Sequence, residues 1–138
     1  MFSKNIFLSV STLLIVFFTA STSEGQNPKQ ASSGTAASKI EMIQFHSEHR
    51  CMTCNKIEAL TKETLKNYPN ISFSLVNVDD AKNEKKAEQF EATGTALYLY
   101  NPKTGKKKDL TDMAFMNASN QAKFIKELKK EIDLFLKS

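Results

Sequence analysis

The chain has no tryptophan, and of its 138 residues only two are cysteine, two histidine and three proline. Two cysteines permit one intramolecular bridge and exclude a scaffold stapled by several. The longest apolar run, Ile6 to Ala20, covers about 15 residues and is interrupted by Ser9, Ser11 and Thr12. It falls short of the roughly 20 residues that a membrane-spanning helix needs, and no cysteine lies between Ala20 and Gly25 to accept a lipid. A net charge of +4 is mild. Lys82, Lys85, Lys86 and the run Lys106-Lys107-Lys108 lack interleaved aromatic residues, so they read as solvated faces and no nucleic-acid partner is expected.

What is present begins with a short polar start containing Lys4, followed by that apolar run, the pattern of an export signal. Thr19, Ala20, Ser21 and Ser23 are small enough to permit cleavage between Ala20 and Gly25, so residues 1–25 are assigned to a signal peptide. Residues 26–38 offer no large apolar side chain to bury and form a flexible linker. Residues 39–138 then make one domain with one core. The expectation is an exported monomer with no stable membrane insertion after signal cleavage. It would be periplasmic if the source is a Gram-negative bacterium and secreted otherwise.

Within the domain, Ile40 to His46 is dominated by apolar residues, as in a strand covered on both faces. Ile57, Leu60, Thr64, Leu65 and Tyr68 recur at helical spacing until Pro69. Ile71 to Val78 alternates as a strand, and Asp79-Asp80 caps a second helix running to about Thr93 with Gly94 as its stop. Ala96 to Tyr100 and Lys106 to Leu110 form two strands around the turn Asn101 to Gly105, the second an edge guarded by lysines. After a connection from Thr111 to Asn117, Asn117 or Ser119 caps a last helix with the stripe Phe124, Ile125, Leu128, Ile132 and Phe135. The order β-α-β-α-β-β-α predicts an α/β domain: a mixed four-stranded sheet with helices on both faces. Helix-linked strands are expected to run parallel and the turn-linked pair antiparallel.

Both cysteines lie in Cys51-Met52-Thr53-Cys54, between the first strand and the first helix. A bridge across two intervening residues closes a loop too short to stabilise the fold much, so its expected value is chemical. At the start of a helix, free backbone N–H groups and the macrodipole favour the Cys51 thiolate, and His49, Arg50 and Lys56 add positive potential. Cys51 is the expected nucleophile. Cys54, one turn on and facing inward, is the expected resolving thiol of a redox-active Cys51-Cys54 disulfide.

That element order with its Cys-x-x-Cys resembles the thioredoxin fold over essentially the whole mature domain. More narrowly, the run from Phe45-His46-Ser47-Glu48-His49-Arg50 through Cys51-Met52-Thr53-Cys54 to Asn55-Lys56-Ile57-Glu58, with Asp109-Leu110-Thr111-Asp112-Met113-Ala114-Phe115, resembles a bacterial thioredoxin-like family named nitrophenyl compound nitroreductase subunit. The resemblance implies a small exported redox protein that exchanges electrons with a protein thiol or disulfide partner and needs no cofactor. The chain also departs from ordinary thioredoxins. Thr95 or Ala96 stands where the family's cis-proline faces the cysteines, which makes both substrate-contact candidates, and Gln44 stands where thioredoxins keep a buried acid.

Two other readings use the same residues. His46, His49, Cys51 and Cys54 are four borderline or soft ligands within nine residues, a set that zinc or copper could use in a metal-binding or metal-delivery module. His46 is more simply a strand-end packing residue, and no metal is favoured. The fold can also serve as a non-catalytic subunit of an exported redox complex. Met52 is an exposed spacer, and Tyr98 and Tyr100 are sheet-packing residues that could alternatively line a substrate face.

Overall fold

A computed structural model describes residues 40–138. The signal peptide assigned to residues 1–25 and the linker assigned to residues 26–38 lie outside the described residues. The fold is α/β and thioredoxin-like, a four-stranded mixed sheet with helical layers on both faces.

Strand β1, Glu41–His46, can sit at the centre because its apolar residues occupy both faces. Met42 faces one core, while Ile43 and Phe45 face the other. It pairs in parallel with β2, Ser72–Asn77, and antiparallel with β3, Ala96–Asn101. β3 pairs antiparallel with β4, Lys106–Asp109, giving the order β2-β1-β3-β4. The rule that helix-linked strands run parallel therefore holds for β1 and β2 and fails for β3. β3 enters on the far side of β1 and runs against it, which lets a tight turn return the chain as β4.

Helix α1, Met52–Leu65, and the final helix Gln121–Leu136 pack together on the Met42 face. α1 ends before the expected Tyr68, and the chain continues in tightened turns from Lys66 N to Glu63 O (3.3 Å) and from Tyr68 N to Leu65 O (2.9 Å). Between β4 and the final helix, the expected connection is itself a helix, α3, Thr111–Asn117, so the last helix is α4. Its single small inward residue, Ala114, is fully buried, while Phe115 and Met116 face out, so no apolar stripe announced it. The cap of α4 is accordingly Asn120, whose Oδ1 accepts from Lys123 N at 3.0 Å, and not Asn117 or Ser119. Asn117 is buried and donates from Nδ2 to Met113 O at 2.7 Å. Phe124, Leu128 and Ile132 of α4 are fully buried against Met42, Ile57, Leu97 and Leu99. Burial of that kind contributes about 1.5–3 kcal/mol per large side chain.

The opposite face is covered by a 3-10 turn, Ala81–Asn83, leading into α2, Glu84–Gln89. Asp80 caps that turn by accepting from Lys82 N at 3.1 Å. Phe45, Phe90, Tyr98 and Tyr100 form an aromatic cluster there with ring centroids 5.1–6.0 Å apart. Tyr98 and Tyr100 thus belong to sheet packing on this face. Edge strand β4 is exposed, but its lysines are engaged. Lys106 lies over the Phe135 ring, Lys107 lies over Phe90 and donates to Gln89 O at 2.7 Å, and Lys108 pairs with Glu131 at 2.8 Å.

α2 stops well before Thr93, and Gly94 is not its stop. Ala92 N donates to Ala87 O (2.9 Å) and Glu91 N to Glu88 O (3.0 Å), the two bonds of a Schellman ending with Glu91 at the left-handed position, φ 53°. Glycine is usual there because a Cβ crowds the backbone. Glu91→Gly is expected to stabilise the domain by about 1 kcal/mol, seen as a higher urea midpoint with unchanged slope. A lower midpoint would show that Glu91 is not strained.

Candidate dithiol site

The site is built where β1 stops. After His46 the chain turns through Ser47 to Arg50, and Glu48 N donates to Asp79 Oδ2 at 2.7 Å, tying this loop to the segment after β2. Cys51 is extended (φ −76°, ψ 162°) and caps α1, its Sγ accepting from Cys54 N at 3.2 Å and its carbonyl from Asn55 N at 3.1 Å. The motif thus closes on itself because a short side chain with an acceptor atom at the N-cap satisfies a helix N–H that has no partner within the helix.

Cys51 and Cys54 form a disulfide with Cα atoms 5.2 Å apart. The two sulfurs differ in access: Cys51 is exposed, whereas Cys54 is 4% exposed. An incoming thiolate can therefore reach Cys51 and not Cys54. Gln44, fully buried on β1 beneath α1, donates from Nε2 to Cys54 O at 2.9 Å. Thr95, immediately before β3, places Oγ1 3.2 Å from Cys54 Sγ. A disulfide sulfur carries no proton, so the hydroxyl is the donor.

The remaining expected residues divide. Of the pair Thr95 and Ala96, only Thr95 has a hydrogen bond to the cysteines; Ala96 is paired with Phe45 and packs against the aromatic core. Arg50 is close to the motif in sequence, but its guanidinium pairs with Glu58 at 2.5 Å, so its charge is shared with a carboxylate one turn beyond Cys54. Burial pulls the Glu58 carboxyl up, and hydrogen bonds and charges from Lys62 and Arg50 outweigh it, holding the carboxyl below its ordinary value. His49 is exposed. His46 donates from Nδ1 to Ser47 O at 2.8 Å, as a strand-end residue does. Among the described residues no three His, Cys, Asp or Glu side chains are grouped to hold a metal ion. His46, His49, Cys51 and Cys54 are thus not grouped as one ligand set, and the two sulfurs are bonded to each other.

A groove of about 320 Å³ beside the motif is lined by Met52, Thr53, Lys56, Phe115, Ala118 and Ser119. Met52 is 89% exposed and Phe115 41% exposed. Lys56 therefore sits at the groove wall, and Phe115 joins the site from α3. Sequence reasoning missed Phe115 as a site residue because it lay in a segment read as a connection. Its one signal was the short apolar run Met113-Ala114-Phe115-Met116 within that segment.

No protein-family model matches the chain, and no curated protein matches it. Solved structures similar to it include thioredoxins. Oxidised thioredoxin O2 from Arabidopsis thaliana is 19% identical over 51% of this chain and 60% of its own, with a TM-score of 0.43. Fasciola hepatica thioredoxin is 23% identical over 52% and 65%, with a TM-score of 0.42. Chlamydomonas reinhardtii thioredoxin f2 is 17% identical over 63% and 84%, with a TM-score of 0.45. The chain thus spans less than two thirds of the length of the first two. The fold assignment rests on strand order, strand direction and the place of the disulfide.

Because the folded state holds the Glu58 carboxyl low, its ion pairs add stability above the ordinary value of 4.5 and lose it as pH falls through the folded value. Glu58→Gln should lower stability at neutral pH by at most about 1 kcal/mol, the pair being partly exposed. The difference from the parent, measured by urea denaturation, should vanish in acid. A difference that persisted in acid would assign the effect to packing.

Proposed function

We propose that the protein is an exported thiol-disulfide oxidoreductase that exchanges electrons with a partner protein through Cys51. The observation that carries this reading is the asymmetry of the disulfide, with one sulfur open to solvent at a helix cap and the other buried behind it. A partner thiolate attacks Cys51 Sγ, the Cys51-Cys54 bond breaks, and the electron pair leaves on Cys54 Sγ. In the reverse direction Cys54 attacks Cys51 Sγ in the mixed disulfide and expels the partner's thiolate. The groove beside Met52 and Phe115 suits an extended partner segment flanking the target cysteine, with Lys56 at its wall and His49 near the nucleophile.

The leader pattern of residues 1–25 supports export, with residues 26–38 as a linker and 39–138 as the working domain acting as a monomer. Among the described residues no helix is long and apolar enough to cross a membrane. In a Gram-negative source the compartment would be the periplasm, where a dithiol can be kept in turnover by its partners. The likeness of Phe45 to Glu58 and Asp109 to Phe115 to the nitrophenyl compound nitroreductase subunit family supports membership of a specialised redox group. No bound flavin or other cofactor is part of the proposal.

Cys54→Ser should accumulate a disulfide-linked complex between Cys51 and the partner, isolated under non-reducing conditions and identified by mass spectrometry. Cys51→Ser should give none. The purified parent should also interconvert between dithiol and disulfide in a glutathione titration; a Cys51-Cys54 pair that stayed in one state throughout would overturn the proposal.

A further inference from the structure

Breaking the disulfide at Cys51 delivers a negative charge to Cys54 Sγ, an atom that solvent barely reaches. A buried thiolate without a donor is strongly disfavoured, so the site has to supply one. The obvious donors are already used. Cys54 N donates to Cys51 Sγ, and Gln44 Nε2 donates to Cys54 O. The one hydrogen bond to Cys54 Sγ among the described residues comes from Thr95 Oγ1, at 3.2 Å. We infer that Thr95 is a catalytic residue of the dithiol, its hydroxyl donating to Cys54 Sγ as that sulfur leaves.

The placement is rigid. Ala96, the next residue, is in register with Phe45 on the central strand, and Leu97 N donates to Thr111 Oγ1 at 3.1 Å. A β-branched side chain on such a backbone has few rotamers, so its hydroxyl stays aimed at the sulfur. The bond is weak to a neutral disulfide sulfur and strengthens as charge builds on it, because charge-assisted hydrogen bonds are about twice as strong as neutral ones. It therefore acts more on the transition state than on the resting disulfide. The step balances. An external thiolate forms a bond to Cys51 Sγ, the pair from the broken S–S bond goes to Cys54 Sγ, and Thr95 keeps its proton while sharing it. A second external thiolate then attacks the first external sulfur, the mixed disulfide breaks, and its electron pair leaves on Cys51 Sγ. One external disulfide is formed and both protein sulfurs are reduced.

This inference rests on the oxidoreductase reading for its role in turnover, and its test separates the two. Thr95→Val keeps the shape and removes the hydroxyl, and Thr95→Ser keeps the hydroxyl. In the full chain, Thr95→Val should slow reduction of the disulfide by dithiothreitol about tenfold, with Thr95→Ser near the parent rate. In a Cys51→Ser background, the thiolate absorbance of Cys54 should titrate about one pH unit higher with valine than with threonine. That titration needs neither partner nor turnover, so it reads the hydrogen bond even if the oxidoreductase reading fails. Unchanged rate and titration in Thr95→Val would overturn the inference. So would equal losses in Thr95→Ser and Thr95→Val, which would assign the effect to packing.

Discussion

β1 is hydrogen-bonded along both edges and covered on both faces, and the site hangs from its end. Met42 and Gln44 point toward α1 and α4, while Ile43 and Phe45 point toward the aromatic cluster. A strand enclosed on four sides cannot shift register without moving its apolar residues to the wrong face. Its last residues therefore reach one place, and the loop that follows delivers Cys51 to the start of α1. The same strand carries Gln44 under the Cys54 carbonyl, and its partner β3 carries in the segment preceding Ala96. Two of the groups that touch Cys54 are thus set by one β-ladder.

The consequence is an unequal disulfide. Both sulfurs belong to one turn of helix, yet Cys51 meets solvent at the cap and Cys54 faces the sheet. Residues three apart share a helix face, so the difference comes from position along the axis: Cys51 is the extended N-cap at the open end of α1, and Cys54 lies within the first turn, where it is buried. Chemical directionality follows from access: attack occurs at one sulfur, and charge appears at the other. The side chains hydrogen-bonded to Cys54 are neutral, the Gln44 amide at its carbonyl and the Thr95 hydroxyl at its sulfur. Charge near the outer sulfur is moderated as well, because Arg50 is held by Glu58.

Much of the fold was legible because long apolar stripes and both-face strands leave strong patterns. β1, β2, β3 and the α4 stripe Phe124, Leu128, Ile132 and Phe135 were readable for that reason. α3 was not, since a seven-residue helix burying only Ala114 and Asn117 has no stripe to read. The end of α2 was misplaced because Glu91 occupies the left-handed position that Gly94 was expected to fill. The direction of β3 escaped because sequence order says which strands are joined by helices, not which become neighbours. In the lysine run of β4, tertiary packing assigns each side chain a specific carbonyl, ring or carboxylate.

The sequence by itself determined the chemistry available: two thiols at helix-opening spacing, after a strand that has to be buried. That much follows from residue types and local periodicity, which act over a few positions. Tertiary structure alone decided which groups meet Cys54. Thr95 is 41 residues from Cys54 and Gln44 is 10 residues away, and they reach it only because β1 and β3 pair beneath α1. It also decided against a shared ligand set for His46 and His49, and brought Phe115 to the groove. Contacts between distant segments depend on register and layer packing, which no local window of sequence encodes.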